Sequence, residues 1–304
     1  MQRNIEQAIR QISCALVGKH TEIRMALCCL LAKGHLLIED LPGMGKTTLA
    51  HALAKVTGLS YQRVQFTSDL LPGDILGLSI FNQQTSQFEF HPGPIFSQVV
   101  LADEINRATP KTQSALLEAM AENQVTIESA TRPLPTPFFV IATQNPVTQA
   151  GTFPLPESQL DRFLMRISLG YPDERSEKAL YQGLDSGAVI DTLSCTLPAP
   201  TLRQLQQYVE AVKASDAILD YLLRLLHTTR QHPQFAWGIS PRGGLALLGA
   251  AKAWAFIDGR DYLLPEDIQQ VLPSVFGHRL QESSHIASNG ISLVQHLLNH
   301  VDVI

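Results

Sequence analysis

Cysteine is scarce. The 304 residues hold four, Cys14, Cys28, Cys29 and Cys195, and none forms a Cys-x-x-Cys pair, which argues against zinc and dithiol chemistry and suits a reduced cytoplasmic setting. Long apolar runs are missing too. No stretch reaches the ~18 consecutive apolar residues of a membrane span, and the most apolar one, 245–256, is interrupted by Lys252. The first twenty residues carry Arg3, Glu6, Arg10 and Lys19, so they do not read as a signal peptide. There is no basic excess: the net charge is −5, which argues against broad nucleic-acid binding while leaving room for a local basic pore or loop. No internal repeat or low-complexity tract stands out. The ten histidines are scattered, with no metal-ligand spacing among them.

What is present suits a well-buried globular chain. Hydrophobic residues make up 45% and charged residues 17%, and the length fits one large or two ordinary domains. Ile5, Ala8, Ile9 and Ile12 recur at helical spacing, as do Ile23, Leu27, Leu30 and Leu31. Short apolar runs then alternate with helical patterns, at 35–39, 61–66, 98–102, 138–142 and 163–169. Buried parallel strands separated by helices have this character, so residues 1–170 predict a three-layer α/β domain. From 171 to 304 strand-like runs are few. Helices are expected at 174–184, 202–212, 216–231, 241–256 and 265–272, with 185–200 as a linker or loop. A smaller helical domain therefore follows the sheet domain, and the cleft between them is a natural ligand site.

Residues 35–48 read HLLIEDLPGMGKTT, a strand, a Gly/Pro turn and the start of an apolar helix. This is the context a phosphate-binding loop requires. Gly43 and Gly45 let successive N–H groups point at phosphate oxygens, and the helix beginning near Lys46 adds its positive end. Lys46 would reach the β- and γ-phosphates of ATP, and Thr47 would hold Mg²⁺. Asp40 stands where the motif usually has its first glycine, and its side chain is expected to point away from the phosphates. The strand VVLAD ends in Asp103-Glu104, which suits Mg²⁺ binding by Asp103 and general-base work by Glu104. Asn145, after the next strand, is either an amide orienting water at the γ-phosphate or a plain turn residue before proline.

Together, LPGMGKT (41–47), LADEINRA (101–108), QSALLEAM (113–120), ATQNP (142–146), GTFPLPESQLDRF (151–163) and SPRGGLALL (240–248) resemble the MoxR family of AAA+ ATPases. The resemblance covers nearly the whole chain. It implies a P-loop AAA+ core with a helical lid. Val17 and Gly18 fall at the family's adenine-contacting turn. Pro42, Gly43, Met44, Gly45, Lys46, Thr47 and Thr48 form its Walker A loop, Asp103 and Glu104 its Walker B pair, and Asn145 its sensor 1. Arg162 is similar to the arginine finger that reaches a neighbour's nucleotide, and Arg242 to sensor 2, acting in its own subunit or the next. Read without the resemblance, Arg162 is an ordinary ion-pairing arginine and Arg242 a helix-start residue. Residues 70–92 are similar to the family's helix-2 insert and 124–137 to the hairpin before sensor 1, loops that face a pore or partner; both also read as plain surface hairpins.

A finger acting in trans implies a homo-oligomeric ring, taken as a hexamer. The expected output is remodelling or activation of a client or adaptor protein, such as one carrying a von Willebrand A domain. Alternatives are a ring ATPase acting on nucleic acid, a magnesium-chelatase-like motor subunit, and a nucleotide-binding scaffold with little turnover.

Overall fold

The computed structural model describes residues 2–145, 151–182, 185–283 and 290–303. Pro146 of the expected QNP turn, and Gly183 and Leu184 of an expected helix, lie outside them.

The chain opens with α1 (Gln2–Ala15) and α2 (His20–Leu31), then β1 (Leu36–Glu39), α3 (Lys46–Thr57) and β2 (Tyr61–Gln65). A short helix α4 (Pro72–Leu76) leads into the hairpin β3 (Gly77–Asn82) and β4 (Gln87–Pro92). β5 (Val99–Asp103) and α5 (Pro110–Glu122) come next, then a second hairpin, β6 (Gln124–Ile127) and β7 (Ala130–Pro133). β8 (Phe139–Gln144), α6 (Glu157–Leu160) and β9 (Met165–Ile167) complete the strands. Among the described residues, the elements that follow are helices: α7 (Glu174–Tyr181), α8 (Ser186–Thr192), α9 (Ala199–Ala211), α10 (Asp216–Gln231), α11 (Pro241–Ile257), α12 (Pro265–Phe276) and α13 (Gly290–His300).

The central sheet has the order β2-β5-β8-β1-β9, with every neighbouring pair parallel. Its strands alternate between two apolar layers. Leu36, Ile38, Val99, Leu101, Phe139 and Ile141 face α1, α2, α3 and much of the helical half. Leu37, Val100, Ala102, Val140 and Ala142 face α4 and α5 through Ile75, Leu116, Leu117 and Met120. Apolar side chains on both faces explain why these strands read as unbroken hydrophobic runs. The chain is thus an α/β three-layer sheet followed by a helical bundle, in which α11 packs on α12, α9 and α2, and α12 on β9.

Two expectations are corrected. Residues 185–200 were expected as linker, yet α8 occupies 186–192. Asp185 caps it, its Oδ1 accepting from the N–H groups of Gly187 at 2.9 Å and Ala188 at 3.2 Å, and Ile190 buries against the core. The expected helix at 265–272 runs four residues further, through Pro273, whose carbonyl accepts from the Gly277 N–H at 3.0 Å. No expectation covered α13; Leu293, Val294 and Leu297 bury it against the helical half.

Candidate nucleotide site

β1 and β8 end side by side, so loop 40–45 and Asn145 lie at the same edge of the sheet, with the end of β5 beside them. This is the carboxyl edge of a parallel sheet, where ligands bind in such folds. Gly43 and Gly45 have φ of +85° and +89°, a region L side chains resist. Gly45 is also crowded, since a Cβ there would lie 2.6 Å from Leu16 Cδ1. Glycine at 45 thus admits both the turn and the close approach of the α1–α2 turn. α3 begins at Lys46 and aims its positive end at the cavity.

That cavity holds about 420 Å³ and is lined by Pro42, Gly43, Gly45, Lys46, Thr47, Thr48, Arg63, Gln65, Asp103, Glu104 and Asn145. Lys46 Nζ donates to the Asp40 carbonyl at 2.7 Å and to Asn145 Oδ1 at 3.3 Å. Burial pulls the Lys46 ammonium below its ordinary range, and the carboxylates of Asp103, Asp40 and Glu104 pull it back up. Asn145 Nδ2 donates to Glu104 Oε1 at 2.9 Å, and the Asn145 carbonyl accepts from Asn106 Nδ2 at 3.1 Å. One buried amide therefore links the lysine to the acid, its orientation following from those two partners.

Glu104 sits at φ +56°, ψ +48°, an uncommon conformation for a residue with a side chain. Its N–H donates to Thr143 Oγ1 at 2.9 Å, and the same hydroxyl donates to Asp103 Oδ1 at 2.6 Å. Thr143 thus positions both acids. Glu104 Oε2 accepts from Gln65 Nε2 at 2.8 Å and pairs with Arg107 Nε at 3.0 Å. Asp103 Oδ2 is held by Arg63, at 2.6 Å from Nη2 and 3.1 Å from Nε. Thr47 and Asp103 supply the oxygen ligands a hard cation takes, and they line the cavity that Lys46 lines. The residues present fit Mg²⁺ and a polyphosphate.

Asp40 is buried, and its carboxylate turns from the cavity to the end of β9. Oδ2 accepts from Leu169 N at 2.7 Å, Gly170 N at 2.6 Å and Ser168 Oγ at 3.1 Å, while Oδ1 accepts from Leu41 N at 2.8 Å. The residue in the glycine's place therefore ties the phosphate loop to the chain leaving the sheet.

The remaining candidates lie elsewhere. Met44 is half-buried against the core rather than in the cavity. Val17 and Gly18 do not line it either; Gly18, at φ +77°, abuts Ser176 and Asp173 at the start of α7, and Leu16 makes the contact with Gly45. Arg162 and Arg242 line a second cavity of about 240 Å³, together with Lys33, His35, Asp161 and Arg279. No Walker residue lines it. Arg162 Nη1 donates to the Leu117 carbonyl at 2.5 Å, and Ser240 Oγ caps α11 beside Arg242 by accepting from Gly243 N at 3.1 Å. Arg279, in the helical half, grips the loop that carries Arg162: Nε donates to Asp161 Oδ1 at 2.7 Å and Nη2 to the Phe163 carbonyl at 2.8 Å. Arg63, Gln65, Arg107, Thr143 and Arg279 were not singled out from the sequence. The only signal for Arg63 and Gln65 is an outward polar alternation in an otherwise buried sheet, YQRVQ.

Residues 35–165 match the family model described as the ATPase family associated with various cellular activities (AAA), and 227–296 match an AAA lid domain. The chain is 46% identical over 300 residues to the uncharacterized protein YeaC of Bacillus subtilis, covering 98% of this chain and 94% of that one. It is 40% identical over 285 residues to chaperone MoxR1 of Mycobacterium tuberculosis, covering 91% and 75%. The chain belongs to the MoxR family of AAA+ ATPases. A crystal structure of a proposed ATPase from Cytophaga hutchinsonii superposes on this MoxR-family chain with a TM-score of 0.89 at 36% identity, over 99% of this chain and 95% of that one. The family binds and hydrolyses nucleotide, and AAA+ ATPases generally oligomerise. Among the described residues, no helix is long and apolar enough to cross a membrane.

Proposed function

We propose that this MoxR-family chain hydrolyses ATP with Mg²⁺ at the seams between copies in a ring, taken as a hexamer, and uses the cycle to remodel or activate a partner protein. The observation that carries the reading is the division of the expected site into two cavities. Lys46, Thr47, Asp103, Glu104 and Asn145 share one; Arg162 and Arg242 share another, with no Walker residue beside them. Two half-sites on one chain become one whole site when copies meet head to tail. On this reading both arginines act on the neighbour's nucleotide; the shared cavity of Arg162 and Arg242 supports trans action for Arg242.

Within one half-site, Lys46 and the N–H groups of residues 43–46 bind and orient the phosphates. Thr47 and Asp103 would hold Mg²⁺, which supplies charge neutralisation on the phosphate oxygens. Glu104 accepts the proton of the attacking water as its oxygen bonds to the γ-phosphorus, and the bond to the β–γ bridging oxygen breaks. Asn145 aligns Glu104 and Lys46 across the path of attack. The opposing Arg162 offsets charge on the transferring group, a contribution of about 10³–10⁵ in rate where such fingers act. On this reading the lid begins at 171, just after Gly170, whose N–H donates to Asp40.

The MoxR1 relative carries the name chaperone, which supports a client-directed output. The β3–β4 hairpin leaves Leu78, Ile80, Phe81 and Phe88 exposed along its two strands, an apolar surface suited to gripping a client or adaptor. The net charge of −5 disfavours the nucleic-acid reading. The test is capture of partners by the Glu104→Gln variant loaded with ATP, compared with Lys46→Ala. A partner retained by the first and absent from the second supports remodelling. Equal recovery from both, or ATP turnover stimulated by DNA instead of by protein, overturns it.

A further inference from the structure

The histidines have no ligand spacing when read along the sequence as a whole, yet two of them, His296 and His300, lie one helical turn apart on α13. Residues at i and i+4 share a helix face. The third member comes from 64 positions earlier: His232 ends α10, and the packing of α13 on α10 brings it over that face. The ring centroids lie 3.9 Å apart for His296–His300, 5.0 Å for His232–His296 and 5.7 Å for His232–His300. One nitrogen from each ring falls within 4.8 Å of the other two.

The hydrogen bonding leaves those rings with lone pairs to give. His300 Nδ1 donates to the His296 carbonyl at 2.9 Å, which fixes the tautomer and leaves Nε2 as the lone-pair nitrogen. His296 Nε2 is buried with no hydrogen-bond partner, a costly state for a polar atom unless something else binds it. His232 Nδ1 has a long contact, accepting from the Gln234 N–H at 3.3 Å, which a small ring rotation can exchange for a metal bond. Phe235, buried, walls the inner side, with its ring 6.0 Å from that of His232 and 6.3 Å from that of His296. Among the described residues, no carboxylate belongs to the cluster.

We propose that His232, His296 and His300 form a binding site for a borderline divalent transition-metal ion, of the Zn²⁺, Ni²⁺ or Co²⁺ class, which staples α13 to the end of α10. Three imidazole ligands select such ions over Mg²⁺ and Ca²⁺, which take oxygen donors. Metal–nitrogen bonds of about 2.0–2.1 Å in tetrahedral geometry put ligand nitrogens roughly 3.3 Å apart, so the rings close by about 1 Å or somewhat more on binding. His300 is exposed, so a remaining coordination position opens to solvent. The site is remote from the Mg²⁺ ligands in sequence and in chemistry, and it does not depend on the nucleotide reading.

The test uses the untagged full chain, free of nucleotide, in excess Mg²⁺, titrated with Co²⁺ and followed by calorimetry and visible absorption. One equivalent is expected to bind with an imidazole–cobalt spectrum, and Zn²⁺ is expected to displace it and raise the melting temperature. His300→Ala, on an exposed ring, should weaken binding by at least about 100-fold, given that loss of mere supporting partners costs 10–100-fold, while melting in EDTA stays that of the parent. His227→Ala, on an exposed histidine of α10 outside the trio, should bind as the parent does, and so should Lys46→Ala. Should His296→Ala fail to fold, His300→Ala and His232→Gln decide the matter. Absence of a one-equivalent site, or equal binding by His300→Ala and the parent, overturns the proposal.

Discussion

Asn145 spans the gap between Lys46 and Glu104 with the two ends of one amide. Replacing it by alanine removes, among the described residues, the one side chain that hydrogen-bonds both. Asn145→Ala is therefore expected to lower kcat by about 10²-fold, the scale of losing one oriented polar group, while ATP affinity changes little; an unchanged steady-state rate would remove Asn145 from the reaction. Glu104→Gln should retain ATP and lose about 10²–10⁴ in kcat, the usual worth of a general base. Arg63 competes for the carboxylate that Mg²⁺ needs, since it holds Asp103 Oδ2 at 2.6 Å. Arg63→Met is expected to lower the Mg²⁺ concentration giving half-maximal hydrolysis, and a rise would contradict that reading. His35 lies under the sheet, with Nδ1 accepting from the Val140 N–H at 3.0 Å, and burial pushes its pKa down to about 4. The unfolded chain takes up that proton near pH 6.5. Stability should thus be full above pH 6.5 and drain as pH falls toward 4, at up to about 1.4 kcal/mol per pH unit for this one group. Denaturant titrations across that range should show a shallower fall for His35→Asn; equal steepness would assign the loss elsewhere.

At the scale of elements, the apolar core shared by the sheet and the helical half is reinforced at its margin by a few polar side chains. Asp40 collects four hydrogen bonds from Leu41 and from residues 168–170 at the end of β9. At about 1 kcal/mol for each such bond, Asp40→Ala is expected to cost roughly 2–4 kcal/mol, read as a drop in denaturation midpoint. Arg279 binds Asp161 and the Phe163 carbonyl from the other side. The strands and the Walker loop are legible in the sequence because local chemistry makes them: runs apolar on both faces, glycines where φ turns positive, and paired acids at a strand end. The outward turn of Asp40 is an expectation of the sequence, but its partners at 168–170 and those of Arg279 at 161–163 are not legible in that way, because they lie over a hundred residues away. α8 hides in a segment rich in Ser, Gly and Asp, and only the Asp185 cap and the burial of Ile190 show why it is helical. α13 and its histidines likewise depend on α10, which no window of sequence contains.

For the whole molecule, the account rests on a nucleotide site completed between copies. Lys46 and its neighbours face one cavity and Arg162 and Arg242 another, and the proposed reading requires both halves for turnover. Hydrolysis should then rise more steeply than linearly with protein concentration until the ring saturates. The decisive measurement is phosphate release from mixed assemblies of Arg162→Ala and Glu104→Gln chains, each inactive alone. Some interfaces in the mixture pair an intact Glu104 with an intact Arg162, and activity should reappear there, with its maximum near equal proportions. Mixed assemblies verified by mass that release no phosphate above either parent variant would contradict a site shared between neighbours.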